Sequence, residues 1–180
     1  MTMTTLQDLI SEADFREHHR RRIPAPADDV WAALIALDAG QLRITRALMA
    51  IRHPRSKEWT KTRNLFSDGP IRILETDQPW YAVGAAIMAP GRPRTPRPVI
   101  DSLAEFASFD THGWTKVLTD FRLREVDGGT ELSTETRGCS TDAGSRWRFA
   151  AYWAVIRWGS GLIRRDMLAT VSRIALEQQS

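Results

Sequence analysis

Residues 14–23, DFREHHRRRI, alternate with a period of two. Phe15, Glu17, His19, Arg21 and Ile23 fall on one side, and Asp14, Arg16, His18, Arg20 and Arg22 on the other, as in a β-strand. Apolar residues at both ends of the first set mark it as the inner face. Pro24-Ala25-Pro26 ends the strand, because proline cannot continue a ladder. From Ala27 the period changes. Val30, Trp31, Leu34 and Leu37 form a helical stripe, with Asp28 and Asp29 at the positive end of the dipole. Asp38-Ala39-Gly40 breaks this helix, and a second carries Leu42, Ile44, Leu48, Met49 and Ile51 before stopping near His53-Pro54.

Beyond a polar and basic stretch, 55–69, the spacing predicts strands at 71–76, 80–88, 102–109, 114–126 and 130–138. Asp77-Gln78-Pro79 reads as a turn. The segment 90–98, PGRPRTPRP, reads as an extended, exposed connection. Asp127-Gly128-Gly129 signals a tight hairpin. Across it, Val117, Thr119, Phe121 and Leu123 share a face with Leu132, Thr134 and Thr136. Lys116, Asp120, Arg122, Arg124, Glu131, Glu135 and Arg137 take the other, the pattern of an antiparallel sheet wet on one side. From Thr141-Asp142 the period is again helical, with Asp142 as N-cap and Phe149, Tyr152, Trp153, Ile156, Ile163, Met167, Val171 and Ile174 at helical spacing. Gly159 and Gly161 interrupt this long helix, which implies a kink or a close packing contact.

Strand, two short helices, a run of antiparallel strands and one long C-terminal helix make an α+β chain. The stretch Ile23-Pro24-Ala25-Pro26-Ala27-Asp28-Asp29-Val30-Trp31-Ala32-Ala33-Leu34 resembles the opening of START-related proteins, also called the Bet v 1-like or polyketide cyclase/dehydrase superfamily (SRPBCC). Leu132-Ser133-Thr134-Glu135-Thr136-Arg137, followed by Arg148-Phe149-Ala150-Ala151-Tyr152-Trp153, is similar to uncharacterised bacterial members. The resemblance implies a helix-grip fold: a curved antiparallel sheet of about six or seven strands wrapped around the C-terminal helix. It further implies one domain over 1–180, with 1–12 a flexible or helical extension, and a pocket between sheet and helix for a lipid, polyketide or other apolar molecule. Some members are enzymes and others carriers, and fold analogy does not choose between them.

Composition narrows the class. The chain has 180 residues, 42% hydrophobic and 26% charged, ordinary for a globular protein with a sizeable core. Seven Trp suit a core or pocket lined with large side chains. A net charge of +3 argues against a dedicated nucleic-acid binder. The single Cys139 excludes an internal disulfide, and no Cys/His spacing resembles a zinc site. With no signal-peptide pattern at the start, a cytoplasmic protein is the expectation. The apolar stretch Trp147 to Ile163 carries Arg148 and Arg157, which argues against a transmembrane helix. No cofactor is implied, and a homodimer stays open.

Candidate chemistry begins with His18 and His19, because imidazole serves acid–base work near neutral pH. The strand phase turns His19 inward and His18 to water. Glu17 and Arg21 flank His19 as either a carbonyl-binding row or a charged sheet edge. Glu75, Glu105 and Glu135 would suit acid–base chemistry only if two converged on one cavity. Ser160 has no nucleophile elbow around it and reads as packing. Arg43, Arg46, Arg52, Arg55, Lys57, Lys61 and Arg63, with Arg92, Arg94 and Arg97, form either a solvated surface or a rim attracting an anion. The expected ligand site comprises Phe121, Leu123, Thr134, Tyr152, Trp153 and Ile156, with His19 and Tyr81 as polar contacts. Three functions remain open at this point. They are a small-molecule binder, a cyclase or dehydratase using a pocket His or Glu, and a partner-binding module without a ligand.

Overall fold

The computed structural model describes residues 6–52, 64–67, 69, 71–92 and 95–179. The predicted end of the second helix at His53-Pro54, and Arg55, Lys57, Lys61, Arg63 and Arg94, lie outside them. The elements in chain order are α1 (Leu6–Leu9), β1 (Phe15–Ile23), α2 (Ala27–Ile35), α3 (Arg43–Arg52), β2 (Arg72–Asp77), β3 (Tyr81–Met88), α4 (Leu103–Ser108), β4 (Thr115–Val126), β5 (Gly129–Ser140) and α5 (Ala143–Glu177). A short 3-10 turn, Ala39–Gln41, separates α2 from α3.

The strands form one antiparallel sheet in the order β1-β5-β4-β3-β2. The β4–β5 hairpin has the register the alternation predicts, with Thr119 opposite Thr136, Phe121 opposite Thr134 and Leu123 opposite Leu132. At its turn Gly128 has φ 73° and Gly129 φ 147°. A Cβ on Gly129 would lie 2.2 Å from the Ile23 carbonyl oxygen, so only glycine lets β1 end against this hairpin. β1 pairs with β5 along its whole length, from Phe15 opposite Gly138 to Ile23 opposite Thr130.

The helix α5 has 35 residues and opens on a reciprocal cap, Asp142 accepting from the Ser145 amide at 2.8 Å while Ser145 Oγ accepts from the Asp142 amide. It runs without interruption through both internal glycines. Its C-terminal half, through Met167, Leu168, Val171 and Ala175, packs with α2 (Val30, Trp31, Leu34) over Ile23, Leu123 and Leu132. Asp166 ties α3 to α5 by accepting from the Thr45 amide and hydroxyl at 2.9 and 3.1 Å.

Two expectations are corrected. The segment 102–109, expected as a strand, holds the helix Leu103–Ser108, so the sheet has five strands where six or seven were expected. Ser102 Oγ caps α4 by accepting from the Glu105 amide at 3.1 Å. Leu103 and Phe106, three residues apart, are the positions that α4 buries. The outer sheet face is not uniformly wet either. Leu6, Ile10, Ile100, Leu103 and Phe106 cover it over β3 and β4, burying Tyr81, Val83, Ala85, Ile87 and Leu118 in a second core. Alternation alone cannot distinguish a face covered by short helices from one open to water, since both carry some charge. No helix among the described residues is long and apolar enough to cross a membrane.

Candidate functional site

The inner face of β1 carries Glu17 and His19 toward α5, as the alternation predicts. His19 Nε2 is 2.7 Å from Glu17 Oε1. From α5, Ser160 Oγ donates to Glu17 Oε2 at 2.8 Å. Both carboxylate oxygens are therefore engaged. Gly161 lies over the pair, and a Cβ there would come 3.5 Å from Glu17 Oε1 and 3.9 Å from His19 Cε1. Those are ordinary van der Waals distances, so the structure leaves room for a Cβ at Gly161. Gly159 has nothing within 4 Å of its Cβ position.

One turn after Ser160, Arg164 reaches the sheet. Its Nη2 donates to Thr136 Oγ1 at 2.8 Å and lies 3.5 Å from Thr119 Oγ1. Those two threonine hydroxyls are 2.9 Å apart. Thr134, opposite both His19 and Phe121 in the sheet, is only 1% exposed, yet its Oγ1 has no hydrogen-bond partner. A buried hydroxyl without a partner costs on the order of 1–3 kcal/mol, so its presence calls for an explanation.

Burial pushes the Arg164 guanidinium below its usual value, and the Glu17 charge opposes that shift. Protein packs around Arg164, yet the side chain is only half-buried and part of it stays open to a water-sized molecule. The same sheet face carries small residues, Ala82 and Ala86 on β3 and Thr119, Thr134 and Thr136 on β4 and β5, while Ile71 and Ile73 cover Gly84 at 2.8 and 3.0 Å from its Cβ position. Aromatic clusters flank this polar belt. On one side Phe15 stacks on Phe149 at 4.5 Å and meets Trp153 at 4.7 Å. On the other, Phe66 lies between Trp31 at 5.9 Å and Phe121 at 6.4 Å.

A long C-terminal helix thus lies on the inner face of an antiparallel sheet, with a polar belt between them. The chain has the helix-grip fold. This is the architecture that its resemblance to the START/Bet v 1-like superfamily implies.

The structure brings together only part of the expected site. His19 and Thr134 lie in the polar belt of the helix grip. Phe121 and Leu123 face the same side but are packed into the core with α2 and the end of α5. Tyr152 and Trp153 pack with Phe15, Val117 and Phe149 at the other end, and Ile156 is half-buried between. Tyr81 is on the opposite sheet face, against Arg122 at 5.1 Å, because odd-numbered β3 residues point away from α5. Burial, then the Asp120 charge, pushes the Tyr81 phenol up to about 12.

Among the candidate charges, His18 is exposed as expected, and Arg21 is exposed rather than continuing the Glu17–His19 row. Arg21 borders an open groove of about 410 Å³ with Arg173, Leu176 and Glu177. Glu75 and Glu105 are exposed, and Glu135 binds Arg16 and Arg137 on the outer face, so these carboxylates do not converge. Among the described residues no His, Cys, Asp and Glu cluster is arranged to hold a metal. Arg164 and the part played by Ser160 escaped the sequence reading. The signal was available: both fall in phase with Phe149, Ile156 and Met167, a stripe otherwise apolar.

No family model matches the chain, and no curated protein matches it. Among solved structures, a Mesorhizobium loti protein has TM-score 0.45 and 13% identity over 88% of this chain and 98% of its own. A putative uncharacterised protein from Rhizobium leguminosarum has TM-score 0.43 and 14% identity, covering 88% and 97%. The Zhui aromatase/cyclase from Streptomyces sp. R1128 has TM-score 0.33 and 15% identity, covering 92% and 96%. Similarity at this level assigns neither ligand nor activity to this chain.

Proposed function

We propose that this protein binds an apolar or amphipathic small molecule, such as a lipid or polyketide, between the sheet and α5. The observation that carries this reading is the polar belt itself, a half-buried Arg164 with uncommitted donors beside an unpartnered, buried Thr134 hydroxyl. Packing for stability alone favours apolar side chains at such positions, because unpaired polar groups in the interior are costly. A few convergent polar groups among apolar walls are instead what orients a ligand. Native mass spectrometry of protein purified from its own host, with extraction of any bound compound, tests this. The expected result is one small molecule per chain. A bare protein that also takes up no apolar probe in solution would count against it.

A second reading, acid–base catalysis in the same space, is favoured by the 2.7 Å Glu17–His19 contact. Ser160 donates to Glu17 rather than to His19, so the imidazole does not activate it as a nucleophile. The chemistry within reach is proton transfer by Glu17 or His19. Recovery of an extracted compound chemically altered by wild-type protein, but unaltered by His19→Ala, would favour this reading over simple binding.

A further inference from the structure

A charge drawn largely out of water needs an opposing one or a dense set of hydrogen bonds. Arg164, half-buried under α5, has neither. Its Nη2 meets two hydroxyls, while Nε and Nη1 form no hydrogen bond with a described residue. Glu17 is the carboxylate whose charge it senses, but no ion pair joins them. Both oxygens of Glu17 are already held by His19 and Ser160. The planar guanidinium therefore keeps uncommitted N–H donors, beside a buried threonine hydroxyl that also lacks a partner.

We infer that the ligand carries a singly charged anionic head, a carboxylate, which pairs with Arg164 beside Thr134 and Thr136 in the space under α5. This inference rests on the ligand-binding reading above and narrows it to acidic amphiphiles. The guanidinium fork matches a carboxylate's two oxygens, and such a pair is strongest where water is excluded. A single charge follows from the count within the belt: one uncommitted guanidinium is available, and Glu17 would repel any further negative charge. Phosphate monoesters, with close to two charges at neutral pH, fit less well. The apolar remainder would lie against the small-residue floor and the aromatic side chains beside it.

The test uses the purified full-length chain, Nile red as a neutral apolar probe, and dodecanoate and dodecanol as competitors below their aggregation concentrations. In wild-type protein, dodecanoate should displace Nile red at a concentration at least about tenfold lower than dodecanol does, since a desolvated charge-assisted pair is worth about 1.5–3 kcal/mol. Arg164→Met should still take up Nile red but bring the two competitors to near equality. Arg164→Lys, which keeps the charge without the fork, should show a reduced preference, and it decides the matter should Arg164→Met not fold. Equal displacement in wild type, or a preference unchanged in these variants, would overturn the inference while leaving the binding reading intact. Failure of wild type to bind Nile red or either competitor would overturn both.

Discussion

The two faces of the sheet both bury charge, and they resolve it in opposite ways. On the outer face, Asp120 accepts from Arg122 Nε at 2.6 Å and from the Glu135 amide at 3.0 Å. Arg137 Nε donates to Glu135 at 2.6 Å, and Lys116 donates to the Ala107 carbonyl at 2.9 Å while lying 4.9 Å from the Phe106 ring. Each of these buried charges has found its partner within the chain. On the inner face, Arg164 has only threonine hydroxyls, and the Thr134 hydroxyl has nothing. A face completed by its own residues is built for stability. One left short of a partner is where the proposed ligand would supply it.

That contrast can be broken most forcefully from outside. Phe106 is fully buried over β4, and Phe106→Ala should cost about 3–5 kcal/mol in urea unfolding, while folded protein keeps its preference among competitors. Next in size, Asp120→Ala leaves Arg122 without its carboxylate. Because Arg122 remains partly exposed, the loss should be about 2 kcal/mol rather than the larger cost of a fully buried orphan.

A smaller effect comes from pH. Burial pushes Glu135 up, but hydrogen bonds from Arg16 and Arg137 and their charges outweigh it and hold the carboxyl below its usual 4.5. Its contribution is therefore present above the unfolded value and is lost as pH falls through the folded one. Glu135→Gln should flatten the decline in stability between about pH 5 and 3, as read by thermal melts. The smallest effect is expected inside. Arg164→Met removes a buried charge that has no ion-pair partner, and should change the stability of ligand-free protein by no more than about 1 kcal/mol, in either direction. A loss as large as that of Asp120→Ala would erase the distinction between the faces.

Most of the fold was legible because its signals are periodic and local. The β1 alternation, the β4–β5 hairpin with its two glycines and the Asp142 cap each fix backbone conformation within a few residues. The 102–109 segment was misread because six residues hold barely two turns, too few for the helical period to separate from alternation. The site was legible only in part. Phase alone turned His19 and Thr134 inward. Tyr81 was misplaced because its position on the inner face cannot be argued from β3 itself, whose residues are apolar on both sides. Arg164 was overlooked because arginine on a long helix normally reaches solvent. Only the packing of α5 against β5 reveals that this one turns towards the sheet, where it meets Thr136.

Threonine-methyl NMR would detect a ligand bound beside Arg164 at the residues it must touch. Thr119 and Thr136 meet Arg164 and Thr134 shares their face of the sheet, whereas Thr130, equally buried on β5, is committed to the Ala25 carbonyl at 2.8 Å. On titration with dodecanoate, the methyl signals of Thr119, Thr134 and Thr136 should shift together and saturate at one equivalent, with Thr130 little changed. Signals from these three that stay fixed, at concentrations where dodecanoate displaces Nile red, would contradict the account by placing the ligand elsewhere on the protein.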